Sequence, residues 1–261
     1  MNRMAKFLGC FLLSIWTAVT PAGVADVISV RADHWYPVNG APDAEKPGFA
    51  IEILERIWGA EGHELDYQRL PWSRSLQMAL RGQIDCVVGA YVSDAPDLLF
   101  PEHPLAVDEM SFYVAMESPW RYAGLDSLEE TRIAVIGGYA YGEPLDSYIR
   151  EPPESARLTV MRGNHALENN LRLLLAGRVD ALVESSMIMT GRLRETGLDS
   201  VLRTAGSVEE RHPIHVACSP ALESSRRYLE IFDRGLERLR DSGELEEILD
   251  RYEIPASHRA H

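Results

Sequence analysis

Two stretches decide how this chain folds: Ser75 to Ala90, SLQMALRGQIDCVVGA, and Asn170 to Ser185, NLRLLLAGRVDALVES. Aligned, they match at Leu76 with Leu171, Leu80 with Leu175, Gly82 with Gly177, Asp85 with Asp180 and Val88 with Val183. In each copy leucines four apart predict the buried side of a short helix. A glycine then supplies the left-handed residue that ends it, and a brief apolar run reads as a buried strand. A helix feeding a buried strand belongs to an open α/β sheet, in which ligands bind beyond the carboxyl ends of the strands. A cleft is therefore expected at Gly89, Ala90 and Tyr91 in one copy and at Glu184, Ser185 and Ser186 in the other. Two small α/β lobes face each other across it.

Working outward, Val27 to Val30 reads as a first strand, followed by a loop, His34-Trp35-Tyr36-Pro37, that brings aromatic rings to the cleft mouth. The apolar residues Phe49, Ile51, Ile53, Leu54, Ile57 and Trp58 form a helical stripe. Leu65 to Leu70 is a second strand, and Pro71-Trp72-Ser73-Arg74 leads into the first repeated helix. Met110 to Met116 reads as the first crossing between lobes, and Ser207 to Arg211 as the return. A cleft joined by two crossings can open and shut without rearranging either core. After the strand Ile133 to Ile136, the run Gly137-Gly138-Tyr139-Ala140-Tyr141-Gly142 lets backbone approach a ligand, although it lacks the dinucleotide spacing. The amphipathic stretch Ser224 to Leu239, Gly243 and a last short helix close the chain. The expected division is residues 1–25 as a signal peptide, 26–115 as lobe 1, 116–207 as lobe 2, 208–254 as the return to lobe 1, and 255–261 as a polar tail.

The signal peptide is read from Arg3 and Lys6, the apolar run Phe7 to Val19, and the small-residue end Gly23-Val24-Ala25. Export to the periplasm follows. Its removal takes the formal charge from −14 to −16, because it contains Arg3 and Lys6 and no acidic residue. So acidic a chain, with no basic stripe, repels nucleic acid. Two cysteines then remain, Cys86 and Cys218, both in apolar strand-like contexts; two buried free thiols is the favoured reading, with a disulfide open.

In order and spacing these features resemble the bacterial extracellular solute-binding proteins of family 3, the amino-acid-binding type that feeds ABC transporters. The resemblance is to a divergent branch and spans Val27 to Tyr252. Its carriers are Gly48-Phe49, Pro71-Trp72, Leu80-x-Gly82-x-x-Asp85, Leu175-x-Gly177-x-x-Asp180 and the closing LERLRDSGELEEILDRY. It implies a type II periplasmic-binding-protein fold, with two α/β lobes on a two-strand hinge. It also implies that Glu184, at the end of a lobe 2 strand, holds a ligand ammonium. The arginine that usually clamps the ligand carboxylate, in a Thr-x-x-Arg stretch, is missing: Ser93, Asp94, Ala95 and Pro96 stand there. That departure argues against a standard amino-acid ligand. Arg74 is the candidate substitute carboxylate partner, and Tyr139, Ala140 and Tyr141 replace the family's small hydroxyl donors.

The expected ligand-binding set is Trp35, Trp72, Arg74, Ala90, Tyr91, Tyr139, Ala140, Tyr141 and Glu184. Trp35 and Trp72 serve equally well as lobe 1 core. Asp85 and Asp180, at matched positions, are expected to stabilise turns. The pairs His212-x-x-His215 and His258-x-x-His261 lack further ligands nearby and are read as incidental, and Met187 and Met189 as core filling. No catalytic residue, metal or cofactor is expected. The functional expectation is a monomeric protein that binds a small amino-acid-like, amine or carboxylate solute for a membrane permease. Two alternatives stand: an enzyme on the same fold that dehydrates cyclohexadienyl acids, with Glu184 or His165 as general acid, and a periplasmic sensor or accessory protein.

Overall fold

A computed structural model describes residues 25–163 and 165–260. The expected signal peptide, but for Ala25, lies outside the described residues. Eight strands and seven helices are seen among them: β1 Val27–Ala32, α1 Phe49–Ala60, β2 Glu64–Arg69, α2 Trp72–Leu80, β3 Cys86–Ala90 and β4 Ala106–Ala115, then β5 Arg132–Ile136, α3 Leu145–Arg150, β6 Arg157–Met161, α4 Ala166–Leu175, β7 Ala181–Ser185 and α5 Ser186–Thr196, and finally β8 Leu202–Cys218, α6 Ser224–Ser242 and α7 Glu244–Arg251.

The strand order is β2-β1-β3-β8-β4-β7-β5-β6. From one edge it reads as a parallel triplet, β2-β1-β3, flanked by antiparallel β8. From the other it reads as a parallel triplet, β6-β5-β7, flanked by antiparallel β4. The two half-sheets share one architecture. They are continuous only because the 17-residue β8 is long enough to pair with β3 through His215 to Cys218 and with β4 from Ile214 back to Leu202. The return expected at Ser207 to Arg211 lies within this longer element, and the crossing expected from Met110 starts at Ala106.

The repeated unit has the expected form. Gly82 and Gly177 follow α2 and α4 with φ of 66° and 64°, and each turn makes the same pair of bonds: Gly82 N–H to Ala79 O and Gln83 N–H to Met78 O, Gly177 N–H to Leu174 O and Arg178 N–H to Leu173 O. Asp85 accepts from the backbone N–H and hydroxyl of Ser29 on β1 at 2.9 and 2.6 Å, and Asp180 accepts from the backbone N–H of Arg132 on β5 at 2.8 Å. Each aspartate ties the start of its strand to the first strand of its own triplet, a structural role.

The helix register differs from the expectation. Leu80 and Leu175 are exposed, and the buried faces are instead Ser75 and Ala79 on α2 and Asn170, Leu171 and Leu174 on α4. The second leucine of each pair ends its helix, where the chain turns away from the sheet. On α2 small or polar residues sit against the strands, whereas α4 buries Leu171 as expected and Leu174 in place of Leu175.

The cysteines also depart from the favoured reading. Cys86 and Cys218 are directly opposed across β3 and β8 and form a disulfide. Cys218 exchanges both its backbone bonds with Leu99 on its other side, so the cysteine pair is the non-hydrogen-bonded kind, in which opposed side chains come closest. The polar tail is tied down as well. Ala256–His258 form a helical turn, buried His258 has Nδ1 2.9 Å from Val107 O and Nε2 3.3 Å from Ser186 Oγ, and Arg259 bonds Asp250 at 2.6 Å. Hydrogen bonds rather than apolar side chains hold it, so hydrophobic patterning carried no sign of it. No described helix is long and apolar enough to cross a membrane.

Candidate functional site

The carboxyl ends of β1, β3, β5 and β7 converge on one enclosed basin. At the end of β1 the chain closes a tight loop, with Trp35 N–H bonded to Asn39 O at 2.9 Å, and this loop holds the Trp35 indole over the strand ends. Beneath it β3 bulges between Val88 and Ala90. Gly89 occupies the bulge with φ of 90°, and a Cβ there would lie 3.2 Å from Asn39 Oδ1 and 3.4 Å from the Trp35 ring. Only glycine gives both that backbone and that clearance.

The walls are aromatic. Trp35, Trp72, Tyr91 and Tyr139 surround a small cavity of about 20 Å³, with Met110 from β4 and Ala140 completing the apolar surface. Trp35 and Tyr91 meet edge to face, their ring centres 6.0 Å apart. The polar atoms are acidic. Asp94 accepts from Trp72 Nε1 and from the Tyr91 backbone N–H, both at 3.0 Å. Asp33 accepts from the Tyr139 hydroxyl at 2.6 Å. Glu184, fully buried, accepts from Ser185 N–H at 2.9 Å and from Trp35 Nε1 at 3.3 Å, while its Oε2 has no partner. It lines a second small cavity, of about 20 Å³, that shares Asp33, Trp35 and Tyr139 with the first. Among the described residues, no lysine or arginine lines either cavity.

Three carboxyl groups crowded into a poorly hydrated space resist ionisation together. Burial lifts Asp33 to about 6, against the bond from Tyr139. Burial lifts Asp94 to about 7, with the bonds from Trp72 and Tyr91 opposing and the charge of Asp33 adding. Burial lifts Glu184 to about 8, with its two N–H donors opposing and the charges of Asp108 and Asp33 adding. The same desolvation and the neighbouring carboxylates hold the Tyr91 and Tyr139 phenols well above their ordinary value. A positive charge placed beside these groups would favour their ionised forms.

Of the nine expected residues, six meet here: Trp35, Trp72, Tyr91, Tyr139, Ala140 and Glu184. Three do not. Arg74 stands exposed on α2 and lines neither cavity, because the helix turns its Trp72 inward and places Arg74, two residues on, toward solvent. Ala90 follows the bulge and packs with Val87 and Ala217 against the α2 side of the sheet. Tyr141 is fully buried, and its hydroxyl accepts from Ile136 N–H at 2.6 Å, so it clamps the glycine loop. His165 is exposed at the cleft mouth, an open space of about 530 Å³ that Arg69 also lines. Asp33, Asn39 and Asp94 join the site without having been singled out for it, and Gly89, expected at the cleft, lines it too. Asp33 was legible as an acid just beyond the first strand. Asp94 was legible as the residue standing in the stretch where a cation was missing.

A family model for bacterial extracellular solute-binding proteins, family 3, matches residues 28–254. A Bacillus subtilis (strain 168) protein named "Probable amino-acid-binding protein YxeM" is 22% identical over 232 residues, 83% of this chain and 80% of that one. Among solved structures, a histidine kinase sensor domain with similarity to periplasmic binding proteins superposes with a TM-score of 0.74 at 21% identity, covering 90% of this chain and 98% of its own. A mutant of ArgBP from T. maritima superposes with a TM-score of 0.72 at 16% identity, covering 87% and 95%. At these identities the structural likeness speaks for the fold, type II periplasmic-binding-protein architecture. The family match covers most of the chain, and the chain belongs to family 3 of the bacterial extracellular solute-binding proteins.

Proposed function

We propose that this protein is a periplasmic receptor that captures a small amine-bearing solute between two lobes and presents it to a membrane permease. The division proposed is lobe 1 from residues 26–115 and 208–254, lobe 2 from 116–207, and a leader, residues 1–25, that directs export. The observation that carries this reading is a pair of hydrogen bonds across the basin in opposite senses. Tyr139, after β5, donates to Asp33, after β1, and Trp35, in the β1 loop, donates to Glu184, at the end of β7. Both bonds break if the lobes part about β4 and β8, and parting enlarges the small closed space between them enough to admit a solute.

The test is a thermal-shift screen of the mature chain against amines, amino acids and small carboxylates. A true ligand at a hundred times its dissociation constant adds about 2.7 kcal/mol to stability. Glu184→Ala should cost about 2 to 5 kcal/mol of binding, because it leaves a buried ligand charge unpaired. A panel with no stabilising member ends the receptor reading.

The likeness to a kinase sensor domain favours a second reading, a receptor that signals instead of delivering cargo. Deleting the gene separates the two, since only a transport receptor is needed for uptake of its own ligand. An enzyme dehydrating a cyclohexadienyl acid fits less well, because its anionic substrate would meet Asp33, Asp94 and Glu184 with no cation beside them.

A further inference from the structure

The receptor reading leaves the solute's chemistry open, and the inference that follows rests on that reading. We propose that the basin selects an organic ammonium carrying no carboxylate, anchored by Glu184 and Asp94 and walled by Trp35, Trp72, Tyr91 and Tyr139.

Four observations converge on this class. First, the Oε2 atom of Glu184 is fully buried without a partner, although the residue lines a cavity. A buried acceptor of this kind calls for a donor, and an ammonium brings up to three with its charge. Second, Asp94 stands at the other side of the basin, and two N–H groups hold it in place. An α-amino acid anchored through its ammonium on Glu184 would turn its carboxylate toward Asp94 and Asp33. Like charges in a poorly hydrated space repel strongly, and among the described residues no lysine or arginine in the lining offsets them. Third, the aromatic walls suit the alkyl stem of an amine, and their ring faces attract cations. Fourth, the arginines around the cleft line neither cavity, including Arg162, which packs on Gly137. Arg74 is exposed on α2, and Arg69 is at the mouth, its Nη1 3.2 Å from His34 Nδ1.

Pairs of probes that differ by one carboxylate test this directly. Agmatine against arginine, and putrescine against ornithine, are titrated calorimetrically into the mature chain at neutral pH. The decarboxylated member of at least one pair should bind at least tenfold more tightly. Asp94→Asn should weaken that amine at least tenfold in a variant that still unfolds cooperatively, because asparagine retains an oxygen for the Tyr91 N–H although its amide NH2 then faces Trp72 Nε1. An amino acid that binds as tightly as its amine, or an amine affinity indifferent to Asp94→Asn, overturns the inference and leaves the receptor reading standing. Tight arginine binding abolished by Arg69→Ala would show that the mouth supplies the carboxylate partner, and it also overturns the inference. Absence of binding by all four probes, together with an unresponsive screen of wider amines and amino acids, removes both.

Discussion

The two copies of the repeated unit share a scaffold and part company most tellingly at Gly89, at the end of β3, and its match Glu184, at the end of β7. Both touch the same side chain. The bare Gly89 lets the Trp35 ring sit on β3, where an added Cβ would be 3.4 Å from it, and Glu184 accepts that ring's N–H at 3.3 Å. One copy makes room for the indole and the other binds it. Copy one then recovers a carboxylate five residues later, at Asp94, whereas copy two runs straight into α5, with Ser185 capping the helix through Ile188 N–H at 3.1 Å. Repetition thus sets where the strands end, and divergence just beyond those ends sets what the basin recognises.

The largest effect expected from this arrangement is a pH response. Glu184 and Asp94, from the two copies, and Asp33 all hold protons in the closed basin at pH values where a solvated carboxyl would have lost them. With pKa values raised in the folded state, this stability is fully present below about pH 4 and is lost as pH rises through about 6, 7 and 8 in turn. For Glu184 alone, facing Asp33, Asp108 and the phenols of Tyr91, Tyr139 and Tyr141, the opposition to ionised closure is on the order of 5 kcal/mol. Opening of the cleft relieves part of it. The melting temperature of the unliganded protein should fall between pH 5 and 8.5, and Glu184→Gln should flatten the fall. A flat wild-type profile would mean that the two strand ends do not share one poorly hydrated space.

Next in size is the disulfide, which sits in copy one alone: the position matched to Cys86 is Ala181. It joins residues 132 apart, clasping the return strand β8 to β3. Replacing both cysteines by alanine should cost about 2 to 5 kcal/mol in denaturant unfolding, with ligand affinity changed little, because the bridge lies at the far end of β3 from the basin. A loss below about 1 kcal/mol would show that β8 is held as firmly by pairing alone.

How much of this was readable from the chain depends on the kind of interaction. The repeat, the two long crossings and the convergence of Trp35, Trp72, Tyr91, Tyr139 and Glu184 follow from periodicity and from the rule that strand ends bear sites. The register of α2 did not, because Ser75 and Ala79 bury less apolar surface than Leu80 would and so leave a weak pattern. Nor did the split between Ala90 and Tyr91: the bulge at Gly89 breaks the alternation, and a bulge depends on what packs above it. The disulfide was undecidable for a related reason, since strand register fixes whether two cysteines oppose. Arg74 was misplaced because residue type was legible and helix phase was not.

The smallest effect separates Asp85 from Asp180, which occupy one position of the repeat and do the same work with different partners. Asp85 bonds the backbone and hydroxyl of Ser29, while Asp180 bonds the Arg132 backbone and, with its oxygens partly open to water, the Arg132 guanidinium. An exposed ion pair contributes about 0 to 1 kcal/mol, and water replaces part of what its removal takes away. A buried backbone donor left without its acceptor costs about 1 to 3 kcal/mol, and Ser29 lies within the sheet between β2 and β3. Asp85→Ala should therefore lose about 2 kcal/mol in urea unfolding and Asp180→Ala about 1 kcal/mol. Raised salt should shrink only the second, because screening acts on the guanidinium pair and leaves the hydroxyl bond untouched. Equal losses with equal salt dependence would show that the backbone tie carries both, and that the partners at β1 and β5 are interchangeable.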